Sequence, residues 1–109
     1  MAWLVREGDV LATAEVAATR KHRRRGLLGR DGIDGALVLR RTRQVHTLAM
    51  RFPLDVAFCD RDGVVVRTVC LRPWRVSPVV WRSRTVIEAT AGAFERWGLR
   101  LGDTVEVRE

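Results

Sequence analysis

The sequence predicts a mainly β protein, a small β-sandwich or partly open barrel with one or two short helices, and three observations carry that expectation. Apolar and β-branched residues recur in short runs, as in Val56-Ala57-Phe58 and Val64-Val65-Val66, of a length that suits strands better than helices. Glycine-bearing turns separate the runs: Glu7-Gly8-Asp9, Asp31 to Gly35, Asp60-Arg61-Asp62-Gly63 and Leu101-Gly102-Asp103. With 109 residues the chain suits one domain over residues 1–109, built on one core that needs neither disulfide nor metal.

In order, Trp3 to Arg6 and Val10 to Ala14 form an opening hairpin with Gly8 in its turn. From Thr19, an N-cap residue, to Gly29, helix formers dominate and Leu27 and Leu28 supply a burying side, so a short helix carries the run Arg20-Lys21-His22-Arg23-Arg24-Arg25. Asp31 to Gly35 is a turn, Ala36 to Leu39 a buried strand and Arg40 to Gln44 a polar connection. Val45 to Met50 is extended and leads to Pro53, which belongs at a strand edge or bulge because it cannot donate to a ladder. Asp55 to Cys59 and Val64 to Leu71 make a central half-buried hairpin across Asp60-Arg61-Asp62-Gly63. That turn lacks the ligand spacing of a calcium loop, since Gly63 follows Asp62 directly. Arg72 to Pro78 is a loop held by two prolines, with Trp74 across its mouth; Val79 to Trp81 and Thr85 to Ala89 read as strands. Ala91 to Trp97 is a brief helix ended by Gly98, and Thr104 to Arg108 is the last strand.

Hydrophobic residues at 47 % and charged residues at 30 % describe an ordinary globular domain and exclude a disordered chain. No apolar run reaches the ~18 residues of a membrane helix, and Met1 to Arg6 lacks the basic start and apolar core of a signal peptide, so the expected location is cytoplasmic. The net charge of +7 is localised: residues 20–51 hold ten Arg or Lys against Asp31 and Asp34, and the remainder holds ten against eleven. Such a segment attracts nucleic acid, anionic lipid or phosphorylated ligands. It also has a compositional reading, because 19 of the 20 cations are Arg, and no aromatic platform or nucleic-acid motif accompanies the charge in sequence. Cys59 and Cys70 fall opposite Val64 and Pro53 in the expected hairpin, roughly 20 Å apart at ~3.4 Å per residue. They cannot pair, and both read as small buried hydrophobes.

His46, Thr47, Arg51 and Asp55 are the densest cluster of reactive side chains. A His oriented by Asp55 would act as a general base, or bind a phosphate beside Arg51. The other reading has His46 half-buried and satisfied, with Asp55 bracketing backbone N–H groups at the strand entry. Glu88, a carboxylate within Val86-Ile87-Glu88-Ala89, needs an Arg or backbone partner; it is a structural ion pair, or a site residue if it converges on Asp55. Nothing supplies a metal-ligand spacing with His22 and His46, or a Gly-x-Ser-x-Gly nucleophile, and no cofactor is implied. Trp3, Trp74, Trp81 and Trp97 share no periodicity and read as core and rim packing.

Arg25-Gly26-Leu27-Leu28-Gly29-Arg30, then His46 to Asp60 with Pro53-Leu54-Asp55-Val56-Ala57-Phe58 at its centre, then Gly63, Val86 to Ala89 with Gly92, and Gly102-Asp103 resemble the prokaryotic family known as domain of unknown function 192. The resemblance covers nearly the whole chain and implies a small mainly-β fold with no assigned activity. Many such relatives carry an export signal, and many have Trp-Met-Lys-Asn-Thr before Pro-Leu-Asp, where this chain has His46-Thr47-Leu48-Ala49-Met50. Only Pro53, Asp55, Asp60, Gly63 and the flanking glycines carry across.

Taken together, these readings describe a small binding or accessory protein, not itself an enzyme, that meets an anionic ligand or a protein partner through the basic surface of residues 20–43. Two alternatives stand beside it. One is a hydrolase or phosphate-handling enzyme using His46 and Asp55 as catalytic residues, with Arg25, Arg30, Arg51 and Glu88 as anion-binding or ligand-binding residues. The other is weak nucleic-acid binding through the Arg-rich helix.

Overall fold

The computed structural model describes residues 1–17 and 31–109. The helix expected from Thr19 to Gly29, with His22, Arg25 and Arg30, lies outside the described residues. Seven strands form one sheet: β1 (Ala2–Arg6), β2 (Asp9–Val16), β3 (Ala36–Arg40), β4 (Leu54–Cys59), β5 (Val65–Leu71), β6 (Thr85–Thr90) and β7 (Val105–Arg108), in the spatial order β5-β4-β6-β3-β2-β1-β7. Among the described residues a single helix, α1 (Ala93–Trp97), joins β6 to the last turn. The β2–β3 pair is parallel and the others are antiparallel.

The sheet curls until its two edge strands touch at one corner. There Val64 bridges Thr104, and Val65 N–H donates to the Asp103 carbonyl while Val105 N–H donates to that of Gly63. The contact does not extend along the edges, which makes the fold a partly open barrel, as expected. Gly63 is required at this corner: its φ is +83°, and a Cβ there would press into the Val105 carbonyl.

Alternation along the strands sorts the core into two layers. Leu4, Val38, Ala57, Cys59, Ile87, Ala89 and Val105 point into the barrel, where Phe94 of α1 joins them. Leu37, Leu39, Leu54, Val56, Phe58 and Val86 point outward, yet they too are buried, under Val45, Met50 and Phe52. β4 is therefore buried on both faces, not half-buried as its alternation suggests, because a further layer of chain covers its outer side.

One strand expectation fails: Val79 to Trp81 belongs to that covering layer and forms no strand, and Val45 to Met50, expected as an extended stretch, lies in the same layer with the isolated bridge His46–Val76. In the central hairpin, Cys59 pairs with Val65, one step from the expected register, and Asp55 with Cys70, two steps from it, the second step being added by a bulge between Phe58 and Cys59.

Candidate functional site

The covering layer consists of the β3–β4 connection, residues 41–53, and the β5–β6 connection, residues 72–84. Connections of this length without regular structure are uncommon and often functional. Here they are stitched into one strap. Thr47 N–H donates to the Arg75 carbonyl at 2.8 Å, Trp74 N–H to that of Thr47 at 2.9 Å, Ser77 N–H to that of Val45 at 2.9 Å and Val80 N–H to that of Arg43 at 2.8 Å. All four buried hydroxyl residues among the described residues, Thr42, Thr47, Ser77 and Ser83, sit in it. The Thr47 hydroxyl donates to the Arg72 carbonyl at 2.5 Å and accepts from Arg75 N–H at 3.0 Å, and the Ser83 hydroxyl donates to the Thr42 carbonyl at 2.6 Å. Each satisfies backbone groups that no strand partner reaches.

The inner side of the strap is apolar, and its outer side is cationic and aromatic. Arg41, Arg43, Arg51, Arg72, Arg75, Arg82 and Arg84 are all exposed, and neither connection contains an Asp or Glu. Arg51 pairs with Asp31 at 3.1 Å and Arg82 with Asp60 at 3.7 Å, while Arg43 and Arg84 donate to the Trp81 carbonyl. Between them stand Trp74 and Trp81, 63 % and 75 % exposed, with Leu48, Val76 and Val79. Trp74 therefore does not close the loop mouth, and among the described residues Trp97 is the one tryptophan that packs against a ring, 5.8 Å from Phe94. The aromatic platform that the sequence did not reveal is supplied by residues 72–84, which fold against the basic stretch. Arg41, Ala49 and Trp74, three of the four non-glycine residues with left-handed φ among the described residues, also lie here, at +55°, +62° and +65°.

The other expected site residues are dispersed. Asp55 faces the barrel side, where its Oδ2 accepts Gly92 N–H at 2.9 Å and Phe94 N–H at 3.1 Å and so holds the start of α1. His46 lies in the strap on the opposite face of the sheet, where its Nδ1 accepts Leu48 N–H at 3.2 Å. Glu88 is fully buried between Val56 and Leu37 on the strap side, so it does not converge on Asp55 although β4 and β6 are neighbours. Arg51 is in the strap; Arg25 and Arg30 lie outside the described residues.

Of the two thiols, Cys59 is buried and pushed up to about 12, by burial first and by the Asp60 charge second. Cys70 is exposed, against expectation, because it lies on the edge strand β5. Its pKa is also raised, by desolvation first and then by the charge and hydrogen bond of Asp55. A groove of about 310 Å³ opens at the barrel end remote from α1, with Cys59, Ile87 and Val105 at its floor and Arg40, Asp62 and Glu106 at its rim. Its charges are mixed, in contrast to the strap.

A sequence profile of the family described as DUF192, Uncharacterized ACR, matches residues 3–107. A UPF0127 protein of Pyrococcus furiosus is 32 % identical over 62 residues, which are 57 % of this chain and 53 % of that relative, so the match spans about half its length. Among solved structures, a protein of unknown function from Novosphingobium aromaticivorans superposes with a TM-score of 0.75 at 22 % identity, over 96 % of this chain and 82 % of its own. A Sinorhizobium meliloti protein named as a candidate transcription regulator gives 0.73 at 25 % identity, over 97 % and 91 %.

Proposed function

We propose, for a chain that belongs to the DUF192 family of uncharacterised proteins, a binding role with no chemistry of its own: the strap is a preformed surface for an anionic partner. One observation carries the reading, the seven exposed arginines of residues 41–53 and 72–84 with no carboxylate among them. Same-sign charge on a rigid layer raises the local concentration of polyanions and gives a binding that salt weakens. Of the basic segment read from sequence, this face keeps Arg41 and Arg43, and the later connection adds Arg72, Arg75, Arg82 and Arg84.

The hydrolase reading has less support. Asp55 spends its Oδ2 on two backbone N–H groups, and the segment carrying His46 runs over the other face of the sheet. As to location, no helix among the described residues is long and apolar enough to cross a membrane, and the two unpaired thiols suit a reducing compartment, so we read the site of action as the cytoplasm.

Titration with inorganic polyphosphate at several salt concentrations tests the proposal. Binding whose affinity falls steeply with salt, and falls again in the double variant Arg72→Glu, Arg75→Glu, is the expected result. Absence of binding at low salt, or an affinity that the double variant leaves unchanged, refutes it.

A further inference from the structure

Resting on that reading, we infer that the anionic partner is a phospholipid bilayer surface, on which the strap docks with Trp74 and Trp81 in the headgroup layer. The choice between anionic partners turns on what stands among the arginines. Ten large hydrophobic residues are exposed among the described residues, and five of them, Leu48, Trp74, Val76, Val79 and Trp81, are in the strap. A nucleic acid would use the tryptophans as stacking platforms, and such proteins usually track the strand in a groove. It offers nothing to Leu48, Val76 and Val79, which stand exposed in the strap. A bilayer surface satisfies every member of the set at once. Tryptophan favours the headgroup level, aliphatic side chains enter the acyl boundary, and arginines reach phosphates while their stems stay in apolar surroundings. With no carboxylate in the strap, nothing there repels an anionic leaflet.

Rigidity supports the same use. The buried hydroxyls and the strained backbone of Ala49 and Trp74 hold the apolar side chains out before any partner arrives, so docking does not have to order them. This is peripheral docking, distinct from insertion of a membrane-crossing segment.

The test is co-sedimentation of the protein with vesicles of phosphatidylglycerol and phosphatidylcholine in equal parts, with phosphatidylcholine vesicles, inorganic polyphosphate and a single-stranded oligonucleotide as parallel probes. The expected result is binding to the anionic vesicles and not to the zwitterionic ones. Trp81→Ala should weaken vesicle binding roughly tenfold and leave polyphosphate affinity unchanged, whereas Arg72→Gln and Arg75→Gln should each weaken both by roughly fivefold. Both tryptophans are exposed and their backbone contacts survive truncation, and a urea melt confirms that the variants fold. Polyphosphate binding without vesicle binding overturns the bilayer inference and leaves the anion-binding role standing. Vesicle binding insensitive to Trp81→Ala and Trp74→Ala also overturns it, as does a tryptophan-dependent oligonucleotide affinity above that for vesicles. Binding to none of the probes removes both readings.

Discussion

Replacing Asp55 separates a structural carboxylate from a catalytic one. Its Oδ2 accepts two N–H groups, one at Gly92 in exposed surroundings and one at Phe94, which is buried. In Asp55→Ala the Gly92 N–H turns to water and loses about 0.5–1 kcal/mol, while the Phe94 N–H is left without a partner and loses about 1.5–2 kcal/mol, a sum of about 2–3 kcal/mol. Asp55→Asn presents one amide oxygen where a single carboxylate oxygen took both bonds, so it should lose only the charge assistance, about 0.5–1 kcal/mol. Urea unfolding followed by circular dichroism, with an unchanged slope, measures both; on heating, each kcal/mol corresponds to roughly 4–8 °C in a domain near this size. An internal check comes from Cys70, whose thiol is held up partly by Asp55, so Asp55→Asn should speed its alkylation by iodoacetamide. A loss below about 0.5 kcal/mol in Asp55→Ala, or an Asn variant as damaged as the Ala variant, would refute the capping argument.

Three further outcomes follow from the same contacts. Cys59 titrates at about 12 in the folded chain against an ordinary 9.0, so between those values the unfolded chain gives up a proton that the folded one keeps. Stability should therefore be intact below pH 9 and fall toward pH 12 by an amount on the order of 4 kcal/mol, a slope that urea melts of Cys59→Ala should lack. Gly63→Ala should cost more than about 2 kcal/mol, since a left-handed alanine costs ~1–2 kcal/mol and its Cβ also presses on the Val105 carbonyl. Gly102→Ala, at φ +91° with open space around it, should cost the conformational part alone; equal losses in the two would dismiss the corner contact. Thr47→Val keeps the shape of a fully buried side chain but strands the Arg72 carbonyl and the Arg75 N–H, a loss of about 2–4 kcal/mol in the same assay; a neutral result would mean that the strap is held by its apolar side alone.

What the sequence made legible was local. The opening hairpin, the central turn and the end of α1 at Gly98 follow from residues a few positions apart, and the structure has them where turn chemistry puts them. The strap was illegible because its pairing joins residues about thirty positions apart through backbone bonds mixed with hydroxyl bonds instead of a regular ladder, as in Val45 with Ser77 and Thr47 with Arg75. Val79 to Trp81 has the composition of a strand, but Pro78 precedes it and Val80 N–H bonds to the Arg43 carbonyl of the other connection instead of to a strand, and Trp81 stands exposed. A site role for Glu88 depended on its converging on Asp55, which the sequence left open until strand pairing was known; the period of two sends the two side chains to opposite faces.

The strap also bears on the two explanations of the arginine excess. Covering Leu54, Val56 and Phe58 requires inward residues such as Val45, Met50 and Phe52, and places no demand on the charge of the outward ones. A compositional preference for Arg over Lys would scatter arginines among acids across the whole surface. It gives no reason for acids to be missing from one layer. All 13 carboxylate residues of the chain lie outside the 26 residues of the strap, where an even spread would put about three. The remaining described residues carry seven arginines against those 13 acids, so among the described residues the strap's positive charge stands beside a remainder that is net negative. Segregation of that kind costs self-repulsion within the strap, which the pairs Arg51–Asp31 and Arg82–Asp60 offset in part. On the binding role proposed above, the return lies in what the face meets.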